Sequence, residues 1–276
     1  MEEERIPENL ILREYAPILF KDCVESIWFI ETLEQAHDIL IPPDQFVYII
    51  FPISNEGFYH DGIFIDKPSI DGITFKNVLI RFLPHTKILG VRMYASGLYP
   101  FMPITGRMLT DKNIPFPISY DHELLQKIHR AENDEQAIDA VYELLTTLHN
   151  KQREKSSQLV KALYFHLTET NDATNIRQFC DQHNTNYTTL SRQFSKIVGV
   201  SAKKFERLIK FRKAVKHLLD SPDRLLNIGI DSGYFDQPHF IKEFRYYMDM
   251  SPSEYLALLS EEDEHTNYQK IKLSII

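Results

Sequence analysis

The sequence predicts an α+β chain. An N-terminal, mostly antiparallel β-barrel or sandwich with two trailing helices precedes an all-α domain, in which two helix-turn-helix units are joined by a long helix. Three observations carry this reading. From Ser26 to about Ala95, short runs rich in Ile, Val, Phe and Tyr are separated by Pro, Gly, Asn and Asp, the mark of strands. After Asp121 the apolar period changes to that of amphipathic helices. Finally, "NYTTLSRQFSKIVGVSAKKF" at 186–205 recurs in outline as "DQPHFIKEFRYYMDMSPSEY" at 236–255, at an offset of 50 with no gap. Glycine is scarce, 9 in 276, which argues against a turn-dense all-β chain.

The strand-like runs are "SIWFIET", "ILIPPDQFVYIIFPIS", "GIFID", "ITFKNVLIRFLP" and "ILGVRMYA". In "NVLIRFL", Val78, Ile80 and Phe82 fall on one face, with Leu79 and Arg81 on the other. Partial alternation of this kind suits an antiparallel sheet or barrel. Leu124, Leu125, Ile128 and Ala131 then form one helical stripe, and Ala137, Ile138, Val141, Leu144, Leu145 and Leu148 a second. Asp121 and Asp134 stand where N-caps are expected. The polar run "KQREKSSQ" at 151–158 reads as the break between the two halves. The expected domains are 1–152, 153–260 and a tail at 261–276.

Several function classes lose support here. The acidic start MEEERIPENL lacks a basic n-region and an apolar h-region, so no signal peptide is expected. No apolar run reaches the roughly 18 residues of a membrane span, and a cytoplasmic location is expected. Two distant cysteines, Cys23 and Cys180, suit a reducing compartment and cannot build a zinc finger alone. The histidines are scattered, with no HxH on a strand and no HExxH on a helix, so no metal site or cofactor is expected. No GxSxG, phosphate-binding Gly loop or other catalytic constellation is visible. The N-terminal aromatics read first as core, and otherwise as the lining of a ligand cavity.

Charge is uneven. Residues 1–155 carry 15 basic and 24 acidic side chains, whereas 174–216 carry 10 basic and only two acidic, Asp181 and Glu206. The whole-chain net charge of −8 therefore hides a local basic block.

The C-terminal half reads as one helix after another. Leu159, Leu163 and Leu167 mark the first, and Ile176, Phe179 and Cys180 a short second. A polar turn, Asn184–Asn186, leads into a helix capped by Asn186 with Leu190, Phe194 and Ile197 inward. Thr188, Ser191, Arg192 and Ser195 lie on another face. That is a helix-turn-helix, whose second helix enters the major groove with its exposed face. A long helix from Ser201 to Asp220 follows. The second unit runs from a helix at Leu225–Ser232 through a turn at Gly233–Phe235 to a helix capped by Asp236. There Phe240 and Phe244 point inward and Gln237, His239 and Lys242 outward. One such motif is weak evidence; two joined by a long helix are specific.

On these residues the segment 170–258 resembles the DNA-binding domain of the AraC/XylS family of bacterial transcription regulators. "LSRQFSKIVGVSAKKF" with "LIKFRKA" matches the first half and connecting helix, and "NIGIDSGYFDQPHFIKEFRYYMDMSPSEY" the more distinctive second half. Four positions depart from the family pattern: Gly229 for Ala, Asn184 for a turn Gly, Ala202 for Pro, and Asp249 for a helix-closing Gly. "ILIPPDQFVYIIFPIS" and "ILGVRMYASGLYPFM" are similar to a β-barrel sensor domain found ahead of such DNA-binding domains.

The resemblance implies base contacts by Thr188, Ser191 and Arg192 in the first unit and by Gln237, His239 and Lys242 in the second. Arg192 suits guanine O6 and N7, and Gln237 suits adenine N6 and N7. Thr188 and Ser191 are short, and suit phosphates or a thymine methyl. Phosphate contacts are expected from Lys196, Lys203, Lys204, Lys210, Lys213 and Arg245. The partners implied are double-stranded DNA and RNA polymerase, with a small-molecule effector in the N-terminal domain. The helices at 121–150 either form a homodimer surface or pack on the barrel. The alternative reading is a β-barrel small-molecule enzyme with a helical protein-interaction module.

Overall fold

The structure is a computed structural model, and describes residues 9–54, 56–119, 122–169, 176–220, 228–229 and 232–260. The expected cap Asp121, most of the expected helix at 225–232 and the tail at 261–276 lie outside the described residues.

Among the described residues ten strands form two antiparallel sheets. They are β1 (Leu10–Tyr15), β2 (Val24–Thr32), β3 (His37–Ile41), β4 (Phe46–Pro52), β5 (Phe58–His60), β6 (Ile63–Ile65), β7 (Ser69–Asp71), β8 (Val78–Phe82), β9 (Lys87–Tyr94) and β10 (Asn113–Pro115). The larger sheet has the order β1-β2-β9-β4-β7-β10 and the smaller β3-β8-β5-β6. The larger sheet is the middle layer. Trp28, Ile30, Ile50 and Ile88 face Ile39, Phe58, Ile80 and Phe82 of the smaller sheet. Ile27, Phe29, Leu89 and Val91 face the helices. Burial on both faces explains why "SIWFI" reads as an unbroken apolar run, as two-sided strands do. The smaller sheet covers one face only, and β8 accordingly alternates: Val78, Ile80 and Phe82 are buried while Arg81 is exposed. Between the sheets lies a cavity of about 90 Å³.

A single-turn helix α1 (Gly106–Leu109) precedes α2 (Glu123–His129) and α3 (Asp134–Leu148). Leu124, Leu125 and Ile128 of α2 and Ala137, Val141, Leu144 and Leu145 of α3 are buried, as the stripes predicted. Within this chain both helices share the core beneath the larger sheet. The caps differ from expectation. His122 caps α2, accepting from Leu124 N at 3.3 Å, and Asn133 caps α3, accepting from Gln136 N at 3.0 Å. Asp134 is the first helical residue of α3 instead, and its carboxylate is taken by Arg13 at 2.5 Å and Tyr15 at 2.9 Å.

The stretch 151–158, expected as a polar break, is helical. It forms the start of α4 (Lys151–Glu169), whose polar residues face water while Ser157, Val160, Lys161, Leu163, Tyr164 and Leu167 are buried. Arg153 fixes this start by donating to four carbonyls, those of Tyr99, Pro100, Phe101 and Leu148, at 3.0–3.3 Å. The remaining described helices are α5 (Ile176–Gln182), α6 (Tyr187–Ile197), α7 (Ala202–Asp220), α8 (Gln237–Met248) and α9 (Pro252–Ser260). One continuous core joins the two halves of the chain, running from Phe29 and Val91 through Leu144 and Leu163 to Phe205, Phe211 and Phe244. Tyr164 of α4 stands at the junction, its ring 5.9 Å from Tyr94 and 4.9 Å from Phe205.

Candidate nucleic-acid interface

Helix α6 begins because Asn186 is extended and its side chain accepts from Thr188 N at 2.9 Å and Thr189 N at 3.2 Å. Leu190, Phe194 and Ile197 then bury one stripe. The helix stops at Gly199, whose φ of +101° favours glycine. Ahead of it, α5 buries Phe179 and Cys180, and the turn passes through Asn184 at φ +47°. Asparagine tolerates that left-handed conformation, which is how it stands in for glycine here.

Helix α8 is built in the same way. Asp236 is extended and accepts from His239 N at 2.8 Å, Pro238 lies in the first turn, and Phe240, Phe244, Tyr247 and Met248 are buried. Asp249 closes the helix at φ +56°, the left-handed site expected for glycine. Of the first helix of this unit, Ile228 and Gly229 are described as helical. A Cβ at Gly229 would lie 3.1 Å from the Phe240 Cβ, so the small residue matches a tight crossing onto α8. Ser251 and Glu254 cap α9 reciprocally: Ser251 N donates to the Glu254 carboxylate at 2.6 Å, and Glu254 N to Ser251 Oγ at 3.2 Å.

The predicted base-contact residues fall on the two outer faces. Thr188 and Arg192 are exposed on α6 and Ser191 is half-buried; His239 and Lys242 are exposed on α8 and Gln237 is half-buried. Arg192 makes no ion pair among the described residues. The predicted phosphate contacts divide. Lys203 and Arg245 are exposed, and Lys196, also exposed, has its ammonium 5.8 Å over the ring of Tyr99 in the N-terminal half. Lys213 is half-buried. Lys204 instead lies 3.7 Å over the ring of Phe75, a residue of the N-terminal half. Lys210 lies 4.4 Å over Tyr234, and burial pushes its ammonium pKa down. Arg207 bonds Glu243 at 2.7 Å, and Arg212 turns inward to Asp44 at 3.6 Å.

Two aromatics on this surface escaped the sequence reading. Phe235, just before the Asp236 cap, is 89% exposed, and Tyr187 at the start of α6 is 47% exposed. Both sit at the entrances of the two helices. For Phe235 the signal was available, since it lies out of register with Phe240 and Phe244; Tyr187, three residues before Leu190 and seven before Phe194, is in register with its helix's apolar stripe and gave none.

The N-terminal half grips the far ends of both helices. At α6, Gly106 and Gly199 meet backbone to backbone, and Arg107 donates to Ser195 Oγ at 3.1 Å. At α8, Asn77 donates from its side chain to Met248 O at 3.0 Å, Lys76 pairs with Asp249 at 2.9 Å, and Phe75 stacks on Tyr247 with centroids 6.5 Å apart. The entrances of α6 and α8, where the candidate base contacts lie, are capped by their own Asn186 and Asp236. Among the described residues no group of three or more His, Cys, Asp or Glu is placed to hold a metal ion. No helix among them is long and apolar enough to cross a membrane.

Residues 14–115 match a domain family of unknown function, DUF6597. An uncharacterized HTH-type transcriptional regulator of Haemophilus influenzae is 27% identical over 106 residues, spanning 38% of this chain and 36% of that protein. The chain thus spans about a third of the length of the curated relative it matches. Among solved structures, ToxT of Vibrio cholerae O395 is 11% identical with a TM-score of 0.44, covering 92% of this chain and 99% of that one. ToxT of Vibrio cholerae strain SCE256, solved with an unsaturated fatty acid bound, is 11% identical with a TM-score of 0.42, covering 93% and 98%. Residues 179–257 match a helix-turn-helix domain family of AraC type, and the match spans both capped helices α6 and α8.

Proposed function

We propose that the chain is a sequence-specific, DNA-binding transcription regulator that reads two adjacent major-groove segments. One observation carries the reading. α6 and α8 have the same inner anchors and the same capped entrance, but carry different outward side chains. Thr188, Ser191 and Arg192 face one segment, and Gln237, His239 and Lys242 the other. Two unlike readers on one polypeptide suit a non-palindromic site, with recognition helices about 34 Å apart along one face of the duplex. Arg192 is the strongest base reader, because a free guanidinium is matched to guanine. Exposed Lys196, Lys203 and Arg245 supply phosphate contacts. Lys204 and Lys210 reach phosphate only after leaving Phe75 and Tyr234. Phe235 and Tyr187 add apolar surface for thymine methyl groups.

Residues 1–152 act as the regulatory domain, through an effector, and 153–260 as the DNA-binding domain. RNA polymerase is the protein partner, the cytoplasm the working compartment, and a homodimer the assembly to test. Selection of the full-length protein against random duplex DNA tests the core of this proposal. The expected outcome is one enriched asymmetric site with two conserved blocks about one helical turn apart. Recovery of no enriched sequence at low salt refutes it.

A further inference from the structure

The cavity between the sheets has a mixed wall. Most of it is apolar, with Trp28, Phe58 and Phe82 among isoleucine and valine side chains. One end is polar and carries Asp44, Tyr48, His60, Asp71 and Thr74. These groups are already paired in charge. Asp44, 3% exposed, accepts the Tyr48 phenol and faces Arg212 at 3.6 Å. Asp71 faces His60 at 3.2 Å and accepts from Asn113 at 2.7 Å. A charged head group of either sign would lose its water without finding an unpaired counter-ion. A neutral hydroxyl would not. It can donate to a carboxylate, each of which has lone pairs to spare. It can also accept from Trp28 Nε1, which is buried without a hydrogen-bond partner. The Trp28 ring lies 6.4 Å from that of Tyr48, next to the polar end.

The size of the cavity matters as much as its chemistry. About 90 Å³ is less than the roughly 150 Å³ that an engineered apolar cavity offers to benzene. Any molecule of more than a few carbons must press on the walls. Close-packed walls shift rather than compress.

One wall leads to both reading helices. The segment 71–77 starts in the cavity, with Asp71, Gly72 and Thr74 lining it. Gly72 rests on α1, where a Cβ would come 2.0 Å from Leu109 O. The other end of α1 is Gly106, in contact with the exit of α6. Three residues further along the segment, Phe75, Lys76 and Asn77 hold the exit of α8. Asp44, bonded through its backbone to Thr74 of the same segment, holds Arg212 of the connecting helix α7.

We propose that this cavity is an effector site for a short apolar molecule with a neutral hydroxyl head, and that its occupancy is relayed by the 71–77 segment to α6 and α8. The relay rests on the DNA-regulator reading; the ligand class does not. Trp28 is the one tryptophan of the chain and stands in the cavity wall, so its fluorescence reports binding directly. Full-length protein is titrated with pentan-1-ol, pentylamine and pentanoate, and its affinity for a selected DNA site is measured with and without saturating pentan-1-ol. Saturable change in Trp28 emission is expected at millimolar pentan-1-ol, with either ion weaker by roughly tenfold or more. DNA affinity is expected to change at saturation, and Asn77→Ala is expected to keep alcohol binding but lose most of that change. Either ion binding as tightly as the alcohol, or no response of Trp28 to the alcohol, overturns the ligand class. Saturation that leaves DNA affinity unchanged overturns the relay. Failure to select any DNA refutes the regulator reading and the relay together, while the Trp28 titration still decides the ligand.

Discussion

Replacing Gly106 by alanine adds one methyl group where two backbones already touch. A Cβ there would lie 2.3 Å from the carbonyl carbon of Val198, 2.4 Å from Gly199 N and 2.6 Å from Ile197 O. Carbon atoms settle at about 3.5 Å, so the two chains must part by about 1 Å. Backbone cannot swing aside as a flexible side chain would. Gly106 opens α1 and its φ is not positive, so alanine is otherwise welcome. Helix propensity alone would stabilise the variant by up to about 1 kcal/mol. Overpacking against fixed neighbours costs about 1–3 kcal/mol, and here it falls at the upper end. The expected net effect is a loss of about 1–2 kcal/mol. Urea unfolding followed by circular dichroism measures it as a lowered midpoint with an unchanged slope. A variant as stable as the parent, or more stable, refutes the claim that Gly106 and Gly199 hold the two halves in contact.

Three further outcomes are expected. Arg192→Ala should relax specificity at one base step at a cost of about 1–3 kcal/mol, seen by repeating the DNA selection; unchanged preference at every position would remove Arg192 from the readers. Arg153→Ala strips a cation from four carbonyls and should lower stability by about 2–4 kcal/mol in the same urea assay, with Arg153→Lys recovering only part because an ammonium cannot span all four. The third concerns pH. Burial pushes the His60 imidazole down, but its bond to Asp71 and the charges of Asp71 and Asp61 push it up further, and the net shift is upward. A raised histidine stabilises fully below its unfolded value of about 6.5 and loses that contribution as pH rises through the folded value. The stability advantage of the parent over His60→Gln should therefore shrink as pH rises above the unfolded value of about 6.5. An advantage that stays constant or grows as pH rises contradicts the pairing.

Local rules were legible in the sequence, and long-range contacts were not. The alternation of Val78, Ile80 and Phe82 follows from the pleat alone, and it matches the buried face of β8. Asn186 and Asp236 cap their helices as their side chains predict, because a cap is settled within three residues. Asn184 and Asp249 occupy left-handed backbone where the family pattern calls for glycine. At α3 the same local logic chose between neighbours, and Asp134 lost the cap to Asn133 because Arg13 and Tyr15, distant in sequence, claim its carboxylate. The stretch 151–158 reads as a break between the halves because its outward face is polar. What makes it a helix start is Arg153 meeting carbonyls from another part of the chain. The contacts of Lys204 with Phe75 and of Arg212 with Asp44 were likewise invisible. A basic residue gives the same signal whether it awaits a phosphate or is committed to the other half.

The shared core also bears on how such a chain can be rebuilt. With Tyr164 packed on Tyr94 and Phe205, and Lys161 buried beside Asp22 and Cys23, cutting the chain near residue 153 would uncover apolar surface on both pieces. A regulatory half from a relative could not be exchanged as a cassette by matching the sequence at the joint alone. The graft would have to bring with it a glycine to meet Gly199, a ring to meet Tyr247 and an acid to meet Arg212. In this protein the joint is inherited with the parts, and variation in one half is constrained by the surface of the other.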